Sequence, residues 1–209
     1  GKSIAWVSQE RDGYESDKKR LFVANLETGE KQDLTQSFDY NADAIQWLPD
    51  GKSLYMIACK EAVTHIWQVG VADKQIRQIT SGQYDYVSMH SVGNTMAAIR
   101  QSQVNPSEVF AVNTQTGEAT EISFENKAIL DQLNMPKSES RWIKTTDNKQ
   151  MLTWVVYPPH FDPAKKYPAI LYCQGGPQST VSQFWSYRWN LAIMASQGYI
   201  VVAPNRRGL

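Results

Sequence analysis

Leu21-Phe-Val-Ala-Asn-Leu-Glu-Thr-Gly-Glu30, closing on Leu34-Thr35, returns twice in the first half of this 209-residue chain. It recurs as Ile66-Trp-Gln-Val-Gly-Val71 closing on Ile79-Thr80, and as Val109-Phe-Ala-Val-Asn-Thr-Gln-Thr-Gly-Glu118 closing on Ile122-Ser123. In each copy the closing hydroxyl residue lies 14 positions after the first, and the copies are offset by 45 and 43. A second element sits between them. Asp43-Ala-Ile-Gln-Trp-Leu-Pro-Asp-Gly51-Lys-Ser-Leu54 matches Asp85-Tyr-Val-Ser-Met-His-Ser-Val-Gly93-Asn-Thr-Met96 at an offset of 42. Two interleaved elements at nearly one period mark a structural repeat.

The repeated units read as strands, because their apolar residues alternate or cluster over short stretches bounded by turn dipeptides. Asp50-Gly51 and Gly93-Asn94 supply the positive φ of tight hairpins, and Thr28-Gly29 and Thr116-Gly117 do so one hairpin later. Each repeat is then strand, turn, strand, longer loop, strand, turn, strand. Four strands in about 40–45 residues is the size of a β-propeller blade. Residues 1–42 read as the later strands of an earlier blade, at Ile4–Ser8, Leu21–Leu26 and Lys31–Thr35. The expectation for residues 1–125 is therefore two and a half to three blades, where closed propellers have about 4–8.

From Asn126 the pattern changes. Ala128–Leu133 has helical spacing stopped by Met135-Pro136, and Trp142–Thr145 and Met151–Tyr157 read as strands around Asp147-Asn148. Ala169-Ile-Leu-Tyr-Cys173 is a short apolar run entering Gln174-Gly175-Gly176-Pro177, the pattern of a buried parallel strand meeting a Gly-rich turn. Phe184–Ser196 reads as an amphipathic helix with Trp185, Trp189, Ala192 and Ile193 on one face, stopped by Gly198. Tyr199–Ala203 follows as a second buried strand. Strand, Gly turn, helix, strand opens an α/β sheet, so residues 126–209 are expected to be a linker and the start of an α/β domain.

Composition excludes several classes. No apolar run approaches the roughly 18 residues of a membrane helix, and two cysteines in 209 residues make no disulfide scaffold. Cys59 and Cys173 read as free buried thiols, with a bridge between them the alternative. Net charge is zero, but residues 1–125 carry 11 basic and 17 acidic side chains against 10 and 4 in residues 126–209. The basic residues are scattered, which argues for two domains of different composition rather than a nucleic-acid-binding tail. The Asp12–Asp17 stretch lacks the spacing of a calcium loop, and no metal or cofactor is expected.

Tyr167-Pro-Ala-Ile-Leu-Tyr-Cys-Gln-Gly-Gly-Pro177 resembles the Y-P-x-hydrophobic-H-G-G-P stretch of the prolyl oligopeptidase family. Asn205-Arg-Arg-Gly208 resembles that family's N-x-R-G run one strand later, Thr145–Pro158 its first hydrolase strands, and Trp47–Lys52 a run of TolB-like and peptidase propellers. The flavour is closest to bacterial dipeptidyl-peptidase and acylaminoacyl-peptidase branches. The resemblance implies a propeller over an α/β-hydrolase domain, acyl transfer to a serine on a G-x-S-x-G turn, and short peptides as substrates. The chain has no G-x-S-x-G, and none of its three histidines suits a general base. The resemblance thus puts the Ser-Asp-His triad beyond Leu209, in a parent peptidase of which this chain is an inactive fragment.

One catalytic part falls within the chain by the same resemblance. Gly175 and Gly176 match the H-G-G segment, half of an oxyanion hole, where backbone N–H groups face a developing negative charge. Gln174 departs from the family's His or Tyr and offers an amide N–H instead. Asn205 and Arg207 are implied as supports of the active-site loops. Trp185 and Trp189, four apart, read as core. A non-enzymatic TolB-like scaffold and an esterase of the same hydrolase fold are the competing readings. Exposed strand edges are expected to make the isolated chain self-associate. The compartment stays open between bacterial periplasm and cytoplasm, leaning to the periplasm.

Overall fold

A computed structural model describes residues 1–93, 95–175 and 179–206 of a mainly β chain. It divides into two compact units, Gly1–Arg100 with Val109–Ile122, and Gln101–Glu108 with Ser123–Leu209.

In the first unit β1 (Ser3–Ser8), β2 (Arg20–Asn25) and β3 (Lys31–Asp33) form an antiparallel sheet. Two four-stranded meanders follow: β4 (Asp43–Trp47), β5 (Ser53–Lys60), β6 (Val63–Gly70) and β7 (Ile76–Gln78), then β8 (Asp85–Val92), β9 (Thr95–Ser102), β10 (Asn105–Asn113) and β11 (Ala119–Glu121). A single parallel pair, Thr64 with Asp85, joins β6 to β8. The tip of the β9–β10 hairpin, residues 101–108, clusters with the second unit.

The sequence repeat is a repeat of hydrogen bonds. Leu34 N–H donates to the Leu21 carbonyl at 2.8 Å, Ile79 to Ile66 at 2.8 Å, and Ile122 to Val109 at 2.9 Å. The buried Thr35 hydroxyl accepts from Leu21 N–H at 2.8 Å and the buried Thr80 hydroxyl from Ile66 N–H at 3.0 Å. A strand end that would otherwise bury an unmet donor is closed in this way. The outer turns repeat as well: Asn25 Oδ1 accepts from Glu27 and Thr28 N–H, and Asn113 Oδ1 from Gln115 and Thr116 N–H. Gly29 and Gly117 complete these turns at φ +74° and +77°. At the matching position of the middle repeat stands Lys74, held at φ 55°.

The β5–β6 hairpin is buried on both faces, which explains its nearly unbroken apolar run. Leu54, Met56, Ala58, Trp67 and Val69 pack with Leu21, Val23 and Leu34. Tyr55, Ile57 and Ile66 pack on the other side with Tyr86, Met96 and Phe110. Gln46 on β4 grips β8, accepting from Ser91 N–H at 2.9 Å and donating to its carbonyl at 3.1 Å. His65 is buried, its Nδ1 3.2 Å from the Thr80 hydroxyl; burial pushes its pKa down to about 4 against the pull of a hydrogen bond to the Gly82 backbone. His90 lies within strand β8.

The second unit holds α1 (Lys127–Leu130), β12 (Lys137–Lys144), β13 (Gln150–Tyr157), β14 (Ala169–Leu171), α2 (Leu191–Ser196) and β15 (Ile200–Pro204). Its sheet runs β12-β13-β15-β14, with β15 antiparallel to β13 and parallel to β14. The β12–β13 turn closes on Asn148 at φ 62°. Val201 and Ala203 of central β15 and Trp154 of β13 form its floor, each at most 1% exposed. Edge strand β12 is studded with charges (Lys137, Glu139, Arg141 and Lys144), a composition that discourages further pairing.

Three expectations fail here. The helix is shorter than its amphipathic pattern predicts: Ser186 Oγ accepts from Arg188 and Trp189 N–H, fixing a turn. Asn190 then caps the true start by accepting from Ile193 N–H at 2.9 Å. Trp189 and Ile193 are consequently 51% and 59% exposed rather than core. Strand β14 is parallel as read, but it is an edge strand of three residues, and Leu171 and Cys173 are exposed. Both cysteines are free; Cys59 is half-buried, and burial pushes its thiol up to about 11.

Candidate active site

The segment leaving β14 stays extended after its last ladder pair. Tyr172 N–H donates to the Val202 carbonyl at 2.8 Å, so β15 still fixes the backbone there. Residues two apart then share a face. Tyr172 and Gln174 are half-buried on one side, while Leu171, Cys173 and Gly175 are exposed on the other. The Tyr172 hydroxyl donates to Gln174 Oε1 at 2.9 Å. Burial raises the Tyr172 pKa, and the Arg188 charge opposes that shift.

Around this strand end opens a cleft of about 660 Å³. Tyr172, Gln174, Gly175, Arg188, Trp189 and Met194 are among its walls. Among the described residues its lining holds a cation and no carboxylate, which suits an anion or the oxygen of a polarised carbonyl. Arg206 Nη2 reaches the Gln174 carbonyl at 3.5 Å, the long limit of a hydrogen bond. A Cβ at Gly175 meets nothing within 4 Å, so no described neighbour requires glycine there. Gly176 and Arg207 lie outside the described residues.

Asn205, directly after β15, clamps a loop through both ends of its amide. Its Oδ1 accepts from Val181 N–H at 2.8 Å and its Nδ2 donates to the Val181 carbonyl at 3.0 Å. Trp154 Nε1 donates to the same carbonyl at 2.9 Å, and Val181 is fully buried. Asn205 N–H donates to the Leu152 carbonyl at 2.8 Å, tying the clamp to β13. From the other side Gln103 Nε2 donates to the Ser182 carbonyl at 2.7 Å, and Gln103 N–H donates to Gln183 Oε1 at 3.3 Å. The loop that carries Arg188 and Trp189 toward the cleft thus starts from a fixed point.

Motif matching brought out Gln174, Gly175 and Asn205 but missed Tyr172 and Arg188. The signal for Tyr172 was its spacing of two from Gln174; Arg188 sits on a segment read as helix, where its placement could not be deduced. None of His65, His90 and His160 lines the cleft. Among the described residues no three His, Cys, Asp or Glu side chains gather as metal ligands.

No family model matches the chain. It is 59% identical over all 209 residues to dipeptidyl-peptidase 5 of Porphyromonas gingivalis, covering 31% of that protein. It is 53% identical, again over its whole length, to dipeptidyl-peptidase 5 of Porphyromonas endodontalis, covering 30%. The chain therefore spans about a third of the length of these curated relatives. Among solved structures an acylaminoacyl peptidase superposes on 99% of the chain with a TM-score of 0.82 at 19% identity, covering 31% of that protein. The likeness to the prolyl oligopeptidase family read from the sequence holds across these relatives.

Proposed function

We propose that this chain is part of a propeller-gated serine peptidase that removes dipeptides from short peptides. In this reading residues 1–125 are propeller blades and residues 126–209 begin the α/β-hydrolase domain, whose Ser-Asp-His triad comes from sequence outside this chain. The observation that carries it is the full-length match to two proteins named dipeptidyl-peptidase 5. The parallel β14–β15 pair, connected through α2, supports the hydrolase half, since such crossovers build the sheet on which a strained serine turn is mounted.

The segment after β14 supplies half of the oxyanion hole. In this reading the Gly175 N–H serves the developing alkoxide and the Gln174 amide adds a side-chain donor, while Gly176, outside the described residues, is assigned by the motif alone. Such fixed dipoles act when charge appears, because no solvent must reorganise around it. Asn205 supports the site by fixing Val181.

Fluorophosphonate labelling tests the reading, using the gene product extended past Leu209 with the 209-residue chain as control. Labelling of the longer protein alone, together with turnover of dipeptidyl rather than acylaminoacyl or simple ester substrates, is the expected result. Labelling of neither protein would favour a scaffold role.

A further inference from the structure

The cleft contains a side-chain pair that no motif assigns. Tyr172 and Gln174 lie on one face of an extended segment, and the tyrosine hydroxyl donates to Gln174 Oε1 at 2.9 Å. A carboxamide presents one acceptor and two donors, and its two ends are nearly isosteric. A donor fixed on the oxygen therefore decides which end faces away. With Oε1 engaged, Nε2 is the free end, and none of the described residues accepts from it. Both side chains line the cleft beside Gly175.

We propose that Tyr172 is a positioning residue: by donating to Oε1 it holds the Gln174 carboxamide with Nε2 toward the oxyanion position. The inference deepens the peptidase reading and rests on it. Tyr172 itself does not touch the reacting atoms. Its backbone is pinned by the bond to Val202, so the hydroxyl is presented from the sheet rather than from a mobile loop. Gln174 needs such a partner because a free glutamine turns about three side-chain bonds, and a donor that wanders contributes little to a preorganised site. The pair thereby does with two residues what a phenol at position 174 does with one.

The test measures steady-state kinetics of the full-length peptidase, with rates taken per fluorophosphonate-titrated site so that only folded molecules report. Gln174→Ala is expected to lower kcat about 100-fold with KM nearly unchanged, the size of one lost oxyanion donor. Tyr172→Phe is expected to lower kcat about 5-fold, again without raising KM, the size of one neutral hydrogen bond. In the double variant the tyrosine change adds nothing to the loss from Gln174→Ala. Gln174→Asn, which keeps the amide but withdraws it from Tyr172, falls toward Gln174→Ala and carries the test if Tyr172→Phe does not fold. Wild-type kcat in either Tyr172→Phe or Gln174→Asn overturns the inference and leaves the peptidase reading intact, as does a further 5-fold loss on the Gln174→Ala background. A wild-type protein that neither labels nor turns over overturns both.

Discussion

The two units are held by different kinds of bond. In the first, the contacts that close the repeats are short-range and recur: Thr35 reaches back 14 residues to Leu21, and Thr80 reaches back 14 to Ile66. In the second, the contacts that define the cleft's supporting loop are solitary and distant. Asn205 and Trp154 close on Val181 across 24 and 27 residues, and Gln103 on Ser182 across 79. Periodic contacts share their load with copies, whereas the Val181 clamp has no copy.

That contrast predicts a hierarchy of effects. The largest belongs to the clamp. Asn205→Ala leaves the N–H of a fully buried Val181 without its partner and is expected to cost about 3 kcal/mol, the upper end for a buried neutral group that loses its full desolvation energy. Urea unfolding monitored by far-UV circular dichroism measures this; a cost below about 1 kcal/mol would erase the contrast.

Next comes the closure of the middle repeat, which titrates through a histidine. His65 has its folded pKa pushed down to about 4, against about 6.5 in the unfolded chain, so the unfolded chain takes up the proton first. The stability conferred by the neutral ring is complete above about pH 6.5 and is lost as pH falls toward 4, about 3 kcal/mol in all. Unfolding curves between pH 7 and 4 are expected to show this slope, and His65→Gln is expected to flatten it.

The turn glycines separate two costs that the repeat makes look alike. Gly29→Ala bears only the left-handed φ, about 1 kcal/mol. Gly117→Ala adds a Cβ that overlaps the Ile79 carbonyl oxygen, a backbone atom that cannot swing aside, and is expected to cost about 2–3 kcal/mol. Equal losses in thermal unfolding would mean that the close approach is relieved. The smallest effect has the opposite sign. Lys74→Gly releases a lysine from φ 55° and is expected to add about 0.5–1 kcal/mol, after the extra backbone entropy glycine loses.

What the sequence made legible follows the same division. The hairpin glycines, the two periods and the closing Thr residues were readable because each is a local rule stated more than once. Lys74 came out only with the structure, which holds a lysine at the left-handed φ where glycine stands in the other two copies. The parallel β14–β15 pair was legible from a Gly-rich turn between two apolar runs. The extent of α2 was not, because Trp185, Trp189, Ala192 and Ile193 satisfy a helical period while the Ser186 hydroxyl fixes a turn beneath it. Nor was the exposure of Cys173, since an apolar run reads the same at the edge of a sheet as at its centre. In the candidate site, Gln174 and Asn205 were found by motif. Their partners Tyr172 and Val181 are defined by geometry, and no pattern in one sequence encodes a side-chain amide closing on a backbone 24 residues away.

The hairpin of β5 and β6 has neighbours on both faces, and adjacent residues of one strand answer to different clusters: Tyr55 and Ile57 to one, Leu54 and Met56 to the other. It acts as a party wall. Were the meanders to melt one at a time, the first to leave would strip one face of this hairpin while the other stayed packed, exposing apolar surface with no compensating gain in disorder there. Coupling of this kind makes a row of nearest-neighbour units behave as one. The first unit is thus expected to lose its structure in a single step, with slow-exchanging amides concentrated in β5 and β6, although its strands are built from three similar pieces.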